Sequence, residues 1–336
     1  MIQLSKFEPG VPITAPGLYA IDDADYHADA LCEAPSLSST IARLLVNQSP
    51  LHAWYEHPRL NPSQDEKSSK TMDVGSAMHA LLLGHGRDIE VLDFPAWTTN
   101  ASKAARDQAR ELGRIPLLKH VYQGAERLVA AANAQIDLYP ELDGLFDGAL
   151  FEPAAVWQEP GGLWCRCKFD ILREFPDFIA IADFKSTDKV ASPQVVGKQV
   201  SSMGYDVQMA FYRRGLRRLL GPNSKPIRTF IISQERKGPG AMTIVEPDEQ
   251  MLELADQKVL VALKLWSLCL STGQWPAYPP VITSLMLSPW AERDWLELQE
   301  YHAAVAGGGW KYALPEPAND DDEGGDEASP NVLAAG

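Results

Sequence analysis

Ile179-Ala-Ile-Ala-Asp183-Phe-Lys185-Ser-Thr187 is the stretch of sequence that decides the fold of this chain. The apolar run from Phe178 to Ala182 predicts a strand that is buried on both faces. Because side chains alternate along a strand, Asp183 and Lys185 should point to the same side. Such a pair is either a structural ion pair or a metal ligand beside a group that activates water or stabilises charge. The stretch alone leaves both interpretations open.

The composition is that of an ordinary globular protein. The chain has 336 residues, of which 45% are hydrophobic and 22% are charged, enough for one large domain or two modest ones. No apolar run approaches the ~18–20 residues that a membrane-spanning helix needs. The N-terminus lacks the basic and apolar regions of a signal peptide. We therefore predict a soluble, cytoplasmic protein with no membrane partner.

The charge distribution suggests how the chain is divided. The net charge is −15, which argues against a nucleic-acid partner unless a basic surface is local. Six acids lie within residues 320–327, in a low-complexity segment, 315–336, that we predict to be a disordered tail. Residues 1–35 are rich in Pro, Gly and Asp and are predicted to form an irregular N-terminal arm. We expect residues 36–314 to form one domain, with its core at about 71–270.

The cysteines favour a structural role. The chain contains Cys32, Cys165, Cys167 and Cys269. A Cys-x-Cys pair can bind metal, but no nearby Cys or His completes a zinc site around Cys165 and Cys167. We therefore expect small, buried cysteines.

Two candidate site residues lie on elements that precede the opening strand. His79 lies at the edge of the apolar stripe of a helix predicted over 71–84, where a hydrogen-bonded core histidine is the competing interpretation. Residues 163–172 alternate as one strand, in which Asp170 shares a face with two cations. With the strands before and after it, this strand predicts an antiparallel meander.

Further candidates lie on a long helix, or a pair of helices around Gly204, predicted over 195–220. Gln208 and Tyr212 are four residues apart and hence share a helix face. The C-terminal end of the helix carries a basic cluster made of Arg213, Arg214, Arg217 and Arg218. Cations suit a helix C-terminus, so the cluster is either a solvated capping face or a binding surface.

Together these residues predict a divalent-ion site. Two strand carboxylates, Asp170 and Asp183, with the imidazole of His79, form an oxygen-rich ligand set that suits Mg²⁺ or Mn²⁺. Lys185 beside the metal would orient or deprotonate a water, or stabilise developing charge. Metal-assisted phosphodiester hydrolysis needs such groups. The sequence has no GxxxxGK[ST], GxGxxG or GxSxG motif, which removes the common NTPase, dinucleotide-binding and α/β-hydrolase interpretations.

The ordered set of motifs resembles a known family. His79 in Gly-Ser-Ala-Met-His, Asp170, Asp183-Phe-Lys185 and Gln208-Met-Ala-Phe-Tyr212 resemble the PD-(D/E)xK nuclease superfamily. They are most similar to its RecB-like branch and, within it, to the RecE-type nuclease domain of exodeoxyribonuclease VIII and its phage relatives. The resemblance covers roughly residues 17–280. It implies an α/β (α+β), restriction-endonuclease-like core, in which helices flank a central mixed sheet in the order αβββαβ.

The resemblance also implies roles for the candidate residues. The metal would be Mg²⁺, with Mn²⁺ as a substitute, and its ligands would be His79, Asp170, Asp183 and the backbone carbonyl of Phe184, with Glu152 as a further, outer candidate. Asp170, Asp183 and Lys185 would be catalytic. Gln208 and Tyr212 would support the site or hold the DNA end, and the basic cluster would bind DNA. Iron–sulfur relatives have a C-terminal cysteine cluster, whereas Cys269 stands alone here, so no iron–sulfur cluster is expected.

The function implied is that of a 5′→3′ exonuclease acting on the ends of linear double-stranded DNA. Such an enzyme would leave 3′ overhangs for a RecT-like single-strand annealing recombinase, act as a ring-shaped homo-oligomer, and be encoded by a bacterium, phage or prophage. An endonuclease with the same chemistry is one alternative. A catalytically inactive DNA-binding or scaffold module is another, although a dead copy has no reason to keep both acids and the lysine.

Overall fold

The computed structural model describes residues 3–62, 70–84, 86 and 88–307. The predicted disordered tail, 315–336, lies outside these residues. The chain divides into two compact units, Met1–Pro279 and Pro280–Gly336, and the first contains every candidate site residue. This division differs from the predicted single domain over 36–314, since the first unit includes the N-terminal segment and ends well before residue 314.

The described residues contain helices and strands in alternation. The helices are α1 (Asp23–Ala28), α2 (Ser39–Asn47), α3 (Pro50–Glu56), α4 (Lys70–Leu83), α5 (Asn100–Glu111), α6 (Lys119–Ile136), α7 (Pro193–Met203), α8 (Tyr205–Leu220), α9 (Glu249–Thr272) and α10 (Pro289–Ala306). The strands are β1 (Leu4–Lys6), β2 (Gly17–Ala20), β3 (Leu37–Ser38), β4 (Ile89–Leu92), β5 (Ile115–Leu118), β6 (Leu150–Phe151), β7 (Ala154–Glu159), β8 (Leu163–Lys168), β9 (Ile171–Glu174), β10 (Ile179–Thr187), β11 (Ile227–Glu235) and β12 (Met242–Val245).

Two five-stranded sheets organise the first unit. Their strand orders are β1-β2-β7-β8-β3 and β12-β11-β10-β9-β6, while β4 and β5 pair separately. The second sheet is mixed, because β10 runs parallel to β11 and antiparallel to β9. Helices α4 and α8 pack on it through contacts with β10 and β11 respectively. The predicted α/β class with a mixed sheet flanked by helices is confirmed.

Strand β10 is buried on both faces, as its sequence predicts. Ile179 and Ile181 belong to a hydrophobic core that also contains residues of α2, α8 and α9. Ala180 and Ala182 belong to a second core, which contains residues of α4 and α6. Burying both faces of one strand contributes much to the driving force for folding, because every apolar side chain on it leaves water.

The predicted strand over residues 163–172 is wrong in its continuity, whereas the antiparallel pairing of consecutive strands is confirmed, since β6, β9 and β10 pair antiparallel in that order. The predicted strand is two strands, β8 and β9, which lie in different five-stranded sheets and are separated by Phe169 and Asp170. Their partners, β7 and β6, are interrupted at the same level, where Glu152 N–H donates to the Asp170 carbonyl and Phe169 N–H donates to the Pro153 carbonyl, each at 3.1 Å. The antiparallel pair therefore passes from one sheet to the other together. The apolar–polar alternation of the sequence continues to Ile171 and so gave no signal of the break, although Phe169 and Ile171 lie in different hydrophobic cores.

The N-terminal segment, predicted to be an irregular arm, is part of the fold. It forms β1, β2 and α1, and β2 pairs antiparallel with β7. Tyr26 and Leu31 are buried in one hydrophobic cluster with Val156 and Trp164 of the first sheet. The apolar residues of this segment are scattered among Pro and Gly residues, so the sequence did not reveal that they pack against distant strands.

The second unit contains α10 among its described residues. Every residue of this helix is exposed to solvent. None of the helices within the described part of the chain combines the length and the apolar composition needed to cross a membrane.

Candidate active site

The site lies where β10 extends beyond its antiparallel neighbour. Ala182 is the last residue of β10 that pairs with β9, opposite Ile171, so the next residue, Asp183, lies beside the point at which the chain enters β9. Asp183 is buried, with 1% of its surface exposed. The Nζ atom of Lys185 lies 2.5 Å from Asp183 Oδ2, which shows that the two side chains point to the same side as predicted.

Asp170 joins Asp183 because it sits in the crossing between the two sheets. Its Oδ2 atom accepts a hydrogen bond of 2.7 Å from the backbone N–H of Phe184. This bond fixes the carboxylate against the residue that lies between Asp183 and Lys185. The interruption between β8 and β9 thus has a chemical consequence, since it turns Asp170 towards the end of β10.

Helix α4 supplies the imidazole. His79 Nε2 lies 3.1 Å from Asp170 Oδ1, and its Nδ1 lies 3.3 Å from Glu152 Oε1. Gly75 allows helix α4 to pack closely on β10 and so brings His79 to the site. A Cβ atom at this position would lie only 3.1 Å from Ser186 Oγ. The His79 side chain is 25% exposed and contacts two carboxylates, which fits both a metal ligand and the partly buried, hydrogen-bonded histidine of the competing interpretation.

Helix α8 closes the other side of the site. Gln208 Nε2 donates to Asp183 Oδ1 at 2.9 Å and to the hydroxyl of Tyr212 at 2.8 Å. The four-residue spacing therefore places both side chains on the site, and it is Gln208 that touches the carboxylate. Tyr205, at the start of α8, lies with its ring centre 5.1 Å from the Lys185 ammonium. Such a cation–π contact restrains the lysine.

The charges of the site are strongly coupled. Burial raises the pKa of Asp183, and the neighbouring Asp170 adds to this, so that its pKa reaches about 6 despite Lys185. Burial also opposes ionisation of Asp170, but the charge of His79 outweighs it and holds the pKa of Asp170 below its ordinary value. Burial would lower the pKa of His79, yet Asp170 and Glu152 together raise it to about 9. His79 and Lys185 are thus the cations that balance the carboxylates.

The donor types fit a hard divalent cation. Carboxylate oxygens, a backbone carbonyl and one imidazole are the ligands that Mg²⁺ or Mn²⁺ accepts. Asp183 is buried, and its Oδ2 faces the Lys185 ammonium at 2.5 Å while its Oδ1 accepts from Gln208. As they stand, no three His, Cys, Asp or Glu side chains among the described residues are placed to hold an ion. The arrangement observed is an ion-paired site with suitable donors.

The basic cluster of α8 is mostly used inside the protein. Arg213 is 2% exposed and bonds to Glu249 and Asp256 of α9, each at 2.9 Å. This corrects its prediction as a DNA-binding residue, because a buried, paired guanidinium cannot neutralise a phosphate.

The remaining arginines of the cluster lie nearer the surface. Arg214 binds both carboxylate oxygens of Glu159 at 2.7 Å, and Arg218 binds one of them at 3.0 Å. Arg217 is exposed. DNA contact by Arg217 and Arg218 stays a prediction, while Arg214 chiefly joins α8 to β7.

A buried polar network was missed by the sequence reasoning. The carboxylate of Asp29, in the N-terminal segment, accepts hydrogen bonds from Ser36 Oγ and Arg166 Nη1, each at 2.6 Å, and lies 3.3 Å from His57 Nε2. Arg166 is one of the two cations that share a strand face with Asp170, and the other, Lys168, binds Asp23 at 2.7 Å. Both cations thus anchor the N-terminal segment to β8. The sequence signal for this network was Arg166 itself, because an arginine at a buried strand position needs an acidic partner.

The sequence matches the profile of a protein family. Residues 47–282 match the PDDEXK-like domain of unknown function, DUF3799. This match covers most of the chain and includes all the site residues from His79 to Tyr212. The chain belongs to this PDDEXK-like family. The resemblance to the PD-(D/E)xK superfamily is therefore confirmed, and the fold is restriction-endonuclease-like.

One solved structure shows the same fold as this PDDEXK-like chain. A proposed exonuclease from Eubacterium rectale has 16% sequence identity and a TM-score of 0.52, over 81% of this chain and 97% of that one. A phage-related exonuclease from Haemophilus somnus 129PT has 13% identity over 59% of this chain and 95% of that one, and its TM-score of 0.27 is too low to carry an argument. No curated protein sequence matches the chain significantly.

Proposed function

We propose that the protein is a metal-dependent DNA exonuclease that hydrolyses phosphodiester bonds of linear double-stranded DNA. The observation that carries this proposal is the convergence of Asp170, Asp183 and Lys185 at one end of β10, with Gln208 bonded to Asp183. A structural ion pair would need only one acid and one base. A second acid close by costs free energy, because it brings like charges together in a partly buried site.

Each residue has a task in this chemistry. Asp170, Asp183 and His79, with the backbone carbonyl of Phe184, would hold the ion. A bound Mg²⁺ supplies Lewis-acid stabilisation of the phosphate charge and lowers the pKa of a water. Lys185 orients or deprotonates the attacking water, or stabilises charge on the phosphate. Gln208 holds Oδ1 of Asp183, and the ion would take the place of the Lys185 ammonium at Oδ2.

The finer parts of the proposal rest on the resemblance to RecE-type nucleases. We propose 5′→3′ polarity, 3′ overhangs, Mg²⁺ with Mn²⁺ as a substitute, and a ring-shaped homo-oligomer. A RecT-like annealing recombinase would take up the overhangs, within the cytoplasm of a bacterial host. Because the chain is acidic overall, DNA has to be held by local groups, for which the exposed Arg217 is a candidate.

A comparison of DNA forms tests the proposal. The purified protein is incubated with Mg²⁺ and equal amounts of linear and covalently closed circular duplex, and the linear DNA carries a label at either the 5′ or the 3′ end. An exonuclease digests the linear form alone, and early release of the 5′ label marks 5′→3′ polarity. An Asp183→Asn variant is the matched control, since it keeps the shape of the side chain and should not cut.

Each alternative predicts a different result. Equal attack on both forms would identify an endonuclease with the same chemistry. Binding of linear duplex without cleavage, under Mg²⁺ and under Mn²⁺, would identify an inactive DNA-binding module. Cleavage that persists in Asp183→Asn would refute the site.

A further inference from the structure

The backbone of Glu152 has a conformation that its side chain disfavours. Its φ angle is 51°, in the left-handed region, and among the described residues only Asp29 shares a positive φ without being glycine. This conformation costs a non-glycine residue of order 1 kcal/mol, and a following proline, here Pro153, further disfavours helical conformations before it. Many other turns of this chain use glycine at positive φ. At position 152 the chain keeps a glutamate instead.

The strained residue is tied to the site at both its backbone and its side chain. Glu152 N–H donates to the Asp170 carbonyl at 3.1 Å, within the crossing of the two sheets. Its Oε1 atom lies 3.3 Å from His79 Nδ1, while His79 Nε2 faces Asp170 Oδ1 at 3.1 Å. The imidazole is therefore held between two carboxylates, one on each ring nitrogen.

A purely structural role does not account for this arrangement. A turn between β6 and β7 needs only a residue that tolerates positive φ, which glycine does without steric cost. The Glu152 side chain is 15% exposed, and its carboxylate shares His79 with a second acid. Like charges close together destabilise a fold. What the glutamate adds, and glycine would lack, is an acceptor on Nδ1 of His79.

We propose that Glu152 is a positioning residue that orients the ring of His79, so that Nε2 is presented to the metal side of the site next to Asp170. The metal-binding purpose of this arrangement rests on the proposed function. A carboxylate on the far nitrogen of a metal-binding histidine fixes the orientation of the ring, and losing such a partner typically costs about 10–100-fold in metal affinity or activity. The strained backbone is the cost of placing the carboxylate at this point of the crossing.

Three substitutions at this position separate orientation from folding. Glu152→Ala removes the carboxylate and keeps the strain. Glu152→Gly removes the carboxylate and relieves the strain. Glu152→Gln keeps an oxygen acceptor of the same reach. We expect Glu152→Gly to melt at or above the temperature of the wild type and about 1–4 °C above Glu152→Ala, measured by thermal unfolding of the full chain.

The orientation of His79 is read without metal. Nuclear magnetic resonance of the histidine-labelled protein gives the ring signal of His79, which is assigned by its disappearance in His79→Gln. The signal should shift or broaden in the Gly and Ala variants, and stay close to that of the wild type in Glu152→Gln. Calorimetric titration with Mn²⁺ should show about 10–100-fold weaker binding for the Gly and Ala variants.

The outcomes separate this inference from the proposed function. If the His79 signal is unchanged in both Glu152→Gly and Glu152→Ala, Glu152 is a structural residue and the inference is wrong. The same holds if Glu152→Gly unfolds at a lower temperature than the wild type and is no more stable than Glu152→Ala. If the wild type neither binds Mn²⁺ nor cuts DNA, the proposed function fails. In that case the metal-free ring signal and the melting temperatures still decide whether Glu152 orients His79.

Discussion

Gly215 lies where helix α8 crosses the indole ring of Trp157. A Cβ atom at this position would lie 2.7 Å from Cζ3, 2.8 Å from Cη2 and 3.0 Å from Cε3 of that ring. Carbon atoms pack best at about 3.5–4.0 Å, so Gly215→Ala requires the ring or the helix to move by close to 1 Å. The ring has little freedom, because Trp157 is 1% exposed, packs on Phe211 at 5.1 Å between centroids and donates to Glu159 Oε1 at 3.0 Å.

Two opposing terms set the expected size of the effect. Replacing glycine by alanine in a helix stabilises it by about 1 kcal/mol. Overpacking a dense core costs about 1–3 kcal/mol, and three contacts this short place Gly215→Ala at the upper end or beyond. We therefore expect a net loss of about 2 kcal/mol in the free energy of unfolding, and a melting temperature lower by about 4–8 °C.

A second glycine supplies the control. Gly197 lies within α7, is exposed, and has no atom within 4 Å of the position of an added Cβ. Gly197→Ala should therefore stabilise the protein by about 0.5–1 kcal/mol, the sign opposite to that at Gly215. Both variants are measured by denaturant unfolding. If Gly215→Ala is as stable as the wild type, the close packing of α8 on Trp157 is refuted. A double variant with Trp157→Phe should show a coupling energy of about 0.5–3 kcal/mol.

Other predictions concern the site and the ion pairs around it. Asp183→Asn and Lys185→Met should each lower DNA cleavage by at least about 100–1,000-fold while circular dichroism shows an intact fold, and full activity in both would refute the site. Arg213→Ala should lower the free energy of unfolding by about 2 kcal/mol, since it unpairs two carboxylates, whereas Arg217→Ala should change it by less than about 0.5 kcal/mol and flatten the salt dependence of DNA binding. A loss of stability in Arg217→Ala comparable to that in Arg213→Ala would contradict this assignment. The pKa of Asp29 is lowered in the folded protein, because its hydrogen-bond donors and the guanidinium beside it outweigh its burial. Its stabilisation is thus present above the pKa of an unfolded carboxyl and is lost as the pH falls through its folded pKa, so the stability advantage of the wild type over Asp29→Asn should shrink below about pH 4 in denaturant titrations. A constant difference from pH 6 to pH 3 would contradict it.

Some of the site was readable from the sequence because local pattern encodes it. The apolar run before Asp183 predicts a doubly buried strand, and the two-residue spacing puts Lys185 on the same side, as the 2.5 Å contact shows. The four-residue spacing likewise predicted that Gln208 and Tyr212 share a helix face, and they bond to each other.

Other features were not readable, because they depend on partners far away in the sequence. Alternation over residues 163–172 did not reveal the crossing that turns Asp170 towards β10, since the sequence keeps its apolar–polar alternation to Ile171 although Phe169 and Ile171 lie in different cores. Arg213 looked like a surface cation, and only the packing of α9 against α8 supplies the acids that bury it.

By itself the sequence determined which chemical groups the site has and the order of the elements that carry them. Those properties follow from residue type and from the periods of helix and strand. The tertiary structure alone decided which groups touch. It placed Glu152 at positive φ against His79, aimed Asp170 at the Phe184 amide, and joined Asp29 to Arg166. The physical reason is that these contacts join residues far apart in the chain. Their register and approach are fixed by the packing of whole sheets and helices, which no short pattern encodes.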